Sequence, residues 1–145
     1  TVDDDSWDNI FFRILGEKIE PNLGIERPTF LTDYPINQAA LARPKPEDPR
    51  LAERFELYIC GLELANAFGE LTDAVEQRKR FTADMEMKAR LYGQSYPIDE
   101  DFIAALAFGM PASAGIAFGF DRLVMLCASA AMIEDILWAP VAGQT

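Results

Sequence analysis

The 145 residues include no histidine, which removes imidazole as acid, base or triad member from any chemistry within this chain. Cysteine is limited to Cys60 and Cys127, at no spacing that a zinc site uses. Positive charge is scarce: 13 Lys and Arg stand against 24 Asp and Glu, for a net charge of −11. A nucleic-acid footprint needs clustered Lys and Arg, so none is expected on this segment, whereas a cationic amino acid is a compatible ligand. No apolar run reaches membrane-spanning length and no secretory signal is visible, so no membrane partner and a reducing cytoplasm are expected. An initiator methionine is also missing, and a start at Thr1 fits an excised piece of something longer.

What the chain does have is 50% hydrophobic residues, enough for a sizeable core in one domain or part of one. Its most informative stretch runs from Glu53 to Leu71, alternating like a strand, breaking at Cys60-Gly61 and resuming. That pattern predicts a β-hairpin. A two-residue turn sets Ile59 opposite Leu62, Tyr58 opposite Glu63 and Glu56 opposite Ala65, because register follows loop length. Glu56 and Glu63 then share a face as diagonal neighbours, about 7–8 Å apart. Two such carboxylates repel unless a cation sits between them, and an oxygen-only ligand set suits magnesium carried by phosphates.

Farther along the second strand the two-residue period places Asn66, Phe68 and Glu70 on one face, with Ala65, Ala67 and Gly69 on the other. An amide, an aromatic ring and a carboxylate side by side could hold a molecule with an apolar stem and an ammonium head. Strict alternation nevertheless sets these three opposite Glu63. The two groups share a pocket only if a bulge reverses the parity near Ala65 and Asn66. The competing reading is plain: solvated glutamates on a hairpin, with Phe68 in the core.

Elsewhere, Asp3, Asp4, Asp5 and Ser6 supply capping groups before Trp7, Ile10, Phe11, Ile14 and Leu15, an amphipathic helix expected to end before Pro21. Thr29 to Tyr34 reads as a short strand stopped by Pro35. Arg43 to Arg50, with Pro44, Pro46 and Pro49, is expected to be a surface loop. Thr72 or Asp73 caps a long helix to about Tyr92, with Val75, Phe81, Met85 and Leu91 expected on its buried side and Arg78, Lys79 and Arg80 on its wet one. Pro97 opens a second helix, Ile98 to Phe108, closed by Gly109. Ala112 to Gly119 is small and apolar, as a buried strand would be, and turns at Gly119 into a helix from Phe120 or Asp121. Arg122 is badly placed for that helix's dipole, which marks it as a candidate for ligand contact through stacking or phosphate oxygens. Ile133 to Pro140 is expected to be a short helix or turn followed by a strand end.

Gly115-Ile116-Ala117-Phe118-Gly119-Phe120-Asp121-Arg122-Leu123 resembles motif 3 of the class II aminoacyl-tRNA synthetases. Arg54-Phe55-Glu56 and the run Gly61 to Leu71 resemble the preceding strands of their lysine-specific members. The resemblance spans nearly the whole chain. It implies ATP and Mg2+ as cofactors, with Glu56 and Glu63 holding the metal on ATP. Asn66, Phe68, Glu70 and Ala117 would line the lysine pocket, with Glu70 near the ε-ammonium, which requires the parity reversal. Arg122 would lie over the adenine and reach the terminal phosphates as the catalytic cation, while Gly119 and Asp121 complete the nucleotide site.

Two branches of the family use such a domain, lysyl-tRNA synthetases and the ligases that attach a β-lysyl group to elongation factor P. The run Tyr34-Pro35-Ile36-Asn37-Gln38 through Arg43, together with Ala117, is more similar to the ligase branch. The resemblance thus implies activation of lysine or β-lysine and transfer to elongation factor P, with charging of tRNA as the alternative. A non-catalytic amino-acid or nucleotide-binding module is a further alternative. Nothing in the chain resembles motif 1 or motif 2. The expected fold is therefore α/β in the broad sense (α+β): part of an antiparallel sheet flanked by helices, the C-terminal portion of a catalytic domain. Its apolar faces would be partly uncovered, and the full-length protein would be a homodimer.

Overall fold

A computed structural model describes residues 6–139; the expected capping aspartates Asp3 to Asp5, and the end of the last expected strand at Pro140, lie outside them. Strands β2 (Arg54–Ile59) and β3 (Leu62–Gly69) are joined by Cys60-Gly61, whose φ angles are +53° and +77°. Two successive positive φ values make a type I′ turn, whose twist matches that of the strands it joins. Cys60 tolerates this conformation because the turn is held from outside. Its N–H donates to Gly24 O at 2.7 Å and that of Gly61 to Leu23 O at 3.1 Å.

With β1 (Thr29–Thr32) and β4 (Ala114–Phe118), the strands form an antiparallel sheet in the order β1-β2-β3-β4, flanked by helices. β1 is shorter than expected, because Asp33 turns to φ +63° and ends it before Tyr34. β4 is a strand but not a buried one: Ile116 and Phe118 are largely exposed. Small apolar residues signal burial only when both neighbours of a strand are present, and β4 ends the strand order. Within the chain the contacts separate into two compact units.

Of the described residues, the first unit comprises 6–31, 56–66 and 117–139. Ser6 caps helix α1 (Trp7–Ile14) by accepting from Asn9 N–H, and the chain then loosens into a π-helical turn, Leu15–Ile19, and a 3-10 turn, Glu20–Asn22, that contains Pro21. Helix α4 (Phe120–Ala128) starts at Gly119 and ends where Ser129 takes a left-handed conformation. Ile133–Asp135 is a 3-10 turn. The expected strand after it does not form over residues 136–139.

The second unit comprises residues 32–55 and 67–116. Asp73 caps helix α2 (Ala74–Tyr92) by accepting from Val75 and Glu76 N–H, and Gly93 closes it at φ +66°. Asp99 caps helix α3 (Glu100–Gly109), and Phe81 of α2 meets Phe102 of α3 with ring centroids 5.9 Å apart. The buried side of α2 is only in part the expected one: Phe81 and Met85 are half-buried, but Val75 and Leu91 are 80% and 63% exposed. Gln77 is the buried residue instead, its amide donating to Ala40 O at 3.2 Å. Arg80 is likewise not a wet residue: it donates to Ala39 O at 3.0 Å, to Ala42 O at 2.8 Å and to Glu76 at 3.0 Å. Polar residues face inward here because the partner is not a greasy surface but the backbone carbonyls around the Ala39, Ala42 and Ala52 core, which need donors.

Arg80→Met keeps the stem and removes every donor, so it should destabilise the fold by about 2–3 kcal/mol, the range for hydrogen bonds made by a charged group. The same guanidinium is the main reason the Glu76 carboxyl sits below the usual carboxylate range, with Lys79 adding to it and desolvation opposing. A depressed acid contributes stability above its unfolded pKa and loses it as the pH falls through the folded value. Unfolding curves should therefore show an acid-side loss in the wild type that Arg80→Met reduces; identical pH profiles would assign Glu76 no such part.

Candidate functional site

In the first unit Glu56 is 6% exposed, a burial that a carboxylate tolerates only with donors around it. It has them. Tyr58 donates its hydroxyl to Oε2 at 2.7 Å and Asn66 donates Nδ2 to Oε1 at 2.8 Å. The same Asn66 Nδ2 lies 3.3 Å from Glu63 Oε1, so one amide stands between the two carboxylates. Strict alternation along β3 would send Glu63 and Asn66 to opposite faces. The alternation instead breaks at Leu64 and Ala65, which are both buried, and Asn66 emerges on the carboxylate side. The juxtaposition on which the sequence argument was conditional is thus present for Asn66.

A metal fits this donor set. Both carboxylates converge on one positively polarised group, and their oxygens are the ligands a hard divalent cation prefers. Among the described residues no group of three or more acidic, His or Cys side chains could hold a metal. A cation here would therefore take its remaining ligands from water or phosphate, the usual habit of magnesium. Tyr58 is the residue sequence reasoning missed. Its position two residues after Glu56, hence on the same strand face, was the available signal.

Beside the carboxylates, a cleft of about 330 Å³ gathers Glu63, Asn66, Ala117, Gly119, Asp121 and Arg122. At the start of α4 the Gly119 N–H donates to Leu64 O at 2.8 Å, and a Cβ there would meet that oxygen at 3.4 Å, an ordinary contact distance. No side chain caps α4, which leaves its first amides and the positive end of its dipole available to an anion. Arg122 is half exposed, with Nη1 donating to Glu63 O and lying 3.7 Å from Glu63 Oε2. A guanidinium tethered at one nitrogen has further donors for phosphate or for stacking.

Phe68 and Glu70 belong to the second unit. Phe68 is half-buried and packs against the alanine core, as the plainer reading of the sequence had it. Its ring also faces the guanidinium of Arg54, which lies 5.7 Å from its centroid and 4.1 Å from that of Tyr34. Glu70 follows β3, bridging to Ala42 and donating its N–H to Ser113 O at 3.0 Å. Its carboxylate lies over Gly115 and, among the described residues, enters no ion pair.

Residues 13–142 match the family described as tRNA synthetases class II (D, K and N). Relatives include the lysine–tRNA ligase of Dehalococcoides mccartyi, 47% identical over 92% of this chain and 27% of that protein. The elongation factor P–(R)-β-lysine ligase of Proteus mirabilis is 44% identical over 95% of this chain and 42% of that protein. That of Edwardsiella ictaluri is 50% identical over 82% and 37%. The chain thus spans about a quarter to two fifths of the length of the relatives it matches. An acidic hairpin followed by a glycine strand that opens into an Arg-bearing helix is the local arrangement, and the match runs through all of it. On that match, which covers most of its length, the chain belongs to the class II tRNA synthetases of the D, K and N group.

Proposed function

We propose that this chain is the C-terminal portion of a catalytic domain that activates lysine or β-lysine with ATP and passes it to a lysine of elongation factor P. The observation that carries the reading is the Glu56–Asn66–Glu63 cluster, bonded at 2.8 and 3.3 Å beside the Arg122 cleft. In the reaction the lysine carboxylate attacks the α-phosphate of ATP, forming lysyl-adenylate as the bond to pyrophosphate breaks. No protein nucleophile is required, so the work of the residues is orientation and charge neutralisation. Magnesium held by Glu56 and Glu63 would neutralise charge on the leaving phosphates. Arg122 would hold ATP by stacking on the adenine and reaching the terminal phosphates, and Gly119 and Asp121 would complete that nucleotide site. Asn66, Phe68, Ala117 and Glu70 receive the lysine, with Glu70 facing the ε-ammonium. The whole protein works as a homodimer in the cytoplasm.

Transfer to tRNA is the second reading, favoured by the identity to lysine–tRNA ligases. Ala117 and the run from Tyr34 to Arg43 support the first. A full-length protein carrying this chain should show lysine-dependent exchange of pyrophosphate into ATP and modify elongation factor P in preference to tRNA. Residues 1–145 alone should show no exchange, because they offer no arginine for the α-phosphate, and one missing donor at a reacting centre lowers the rate about a hundredfold or more. Absence of exchange by the full-length protein would leave a binding module. Efficient charging of tRNA would assign the synthetase reaction.

A further inference from the structure

Gly115 lies inside β4, and its φ is not in the left-handed region that Gly24, Gly61, Gly93 and Gly109 occupy. Conformation therefore does not account for a glycine here, and glycine within a strand otherwise weakens it. Space does account for it. A Cβ at Gly115 would stand 2.3 Å from Glu70 Oε1 and 3.5 Å from Glu70 Cδ, with no other atom beyond its chain neighbours within 4 Å. The missing methyl group is the volume that the Glu70 carboxylate fills. The backbone beneath that carboxylate is pinned, by Glu70 N–H on Ser113 O at 3.0 Å and by the bridge to Ala42. Ser113 O also accepts from Arg43 Nη1 at 3.4 Å, and Arg43 is held in turn by Glu53 at 2.6 Å.

We propose that Gly115 is a positioning residue for Glu70, setting where the carboxylate meets the side-chain ammonium of the amino-acid substrate. The inference rests on the reading of Glu70 as the ammonium's partner. A methyl group at 115 drives the carboxylate away by a fraction of an ångström to about 1 Å, since the strand cannot follow, and displacements of that size cost up to about a hundredfold. Apart from its chain neighbours, the Cβ meets no atom other than those of Glu70, so it displaces none of the nucleotide-side residues.

The test uses the full-length protein and pyrophosphate exchange, with the KM for lysine and for ATP measured separately in Gly115→Ala, Glu70→Ala and the double variant. Gly115→Ala should raise the lysine KM about tenfold or more and leave that for ATP within about twofold. In the Glu70→Ala background the same substitution should add nothing, because the atom it displaces is gone. An unchanged lysine KM in Gly115→Ala, or an equal further loss in the Glu70→Ala background, including failure to fold in both, overturns the inference. Gly115→Ala that folds only when Glu70 is alanine supports it. If Glu70→Ala alone leaves the lysine KM unchanged, the reading of Glu70 itself is what fails.

Discussion

Glu70→Ala should weaken lysine binding to the full-length protein about a hundredfold, or close to 3 kcal/mol. An ammonium brought into a pocket without its counter-charge forfeits a charge-assisted partner, worth about 3–5 kcal/mol when fully buried. Glu70 is only half-buried, so the lower end of that range applies. Its carboxylate enters no ion pair among the described residues; removing it breaks no internal bridge, and the fold should hold. Isothermal titration with lysine measures the effect directly. A change below about tenfold, or 1.4 kcal/mol, would place Glu70 on the surface rather than against the substrate.

Glu63→Gln should lower magnesium-dependent adenylate formation by about a hundredfold, the usual consequence of losing one fixed partner to charge at a reacting centre. Glutamine keeps the volume and leaves the Glu63 backbone carbonyl that accepts from Arg122, so that tether persists although the ion pair with Oε2 at 3.7 Å is lost. The loss should be partly recovered by raising magnesium, since what is weakened is a metal ligand. A rate that matches wild type at every magnesium concentration would remove Glu63 from the metal site.

How far the sequence alone reached depended on the range of the forces involved. The place of the turn at Cys60-Gly61, the Asp73 and Gly93 ends of α2 and the start of α4 at Gly119 are choices made by residues within a few positions of one another, and local sequence suffices for them, whereas the turn's conformation is held by the distant carbonyls of Leu23 and Gly24. Even the pairing of Glu56 with Glu63 follows from turn length, and the nucleotide-side residues Gly119, Asp121 and Arg122 sit together because one strand-to-helix turn carries them.

Only the tertiary structure decided where Asn66 points, because the break at Leu64 and Ala65 answers to what buries those two side chains, not to the period of the strand. The face of α2 is another such case. Val75 and Leu91 look like core by composition, yet Gln77 and Arg80 go inward to carbonyls 37 and 41 residues away, and a backbone acceptor leaves no mark in a hydrophobicity pattern. Glu70 over Gly115 is a contact across the whole of α2 and α3. The sequence determined the elements and the chemical types they carry; which polar groups meet was decided by long-range packing, because a buried donor or acceptor is satisfied by whichever partner the fold brings to it.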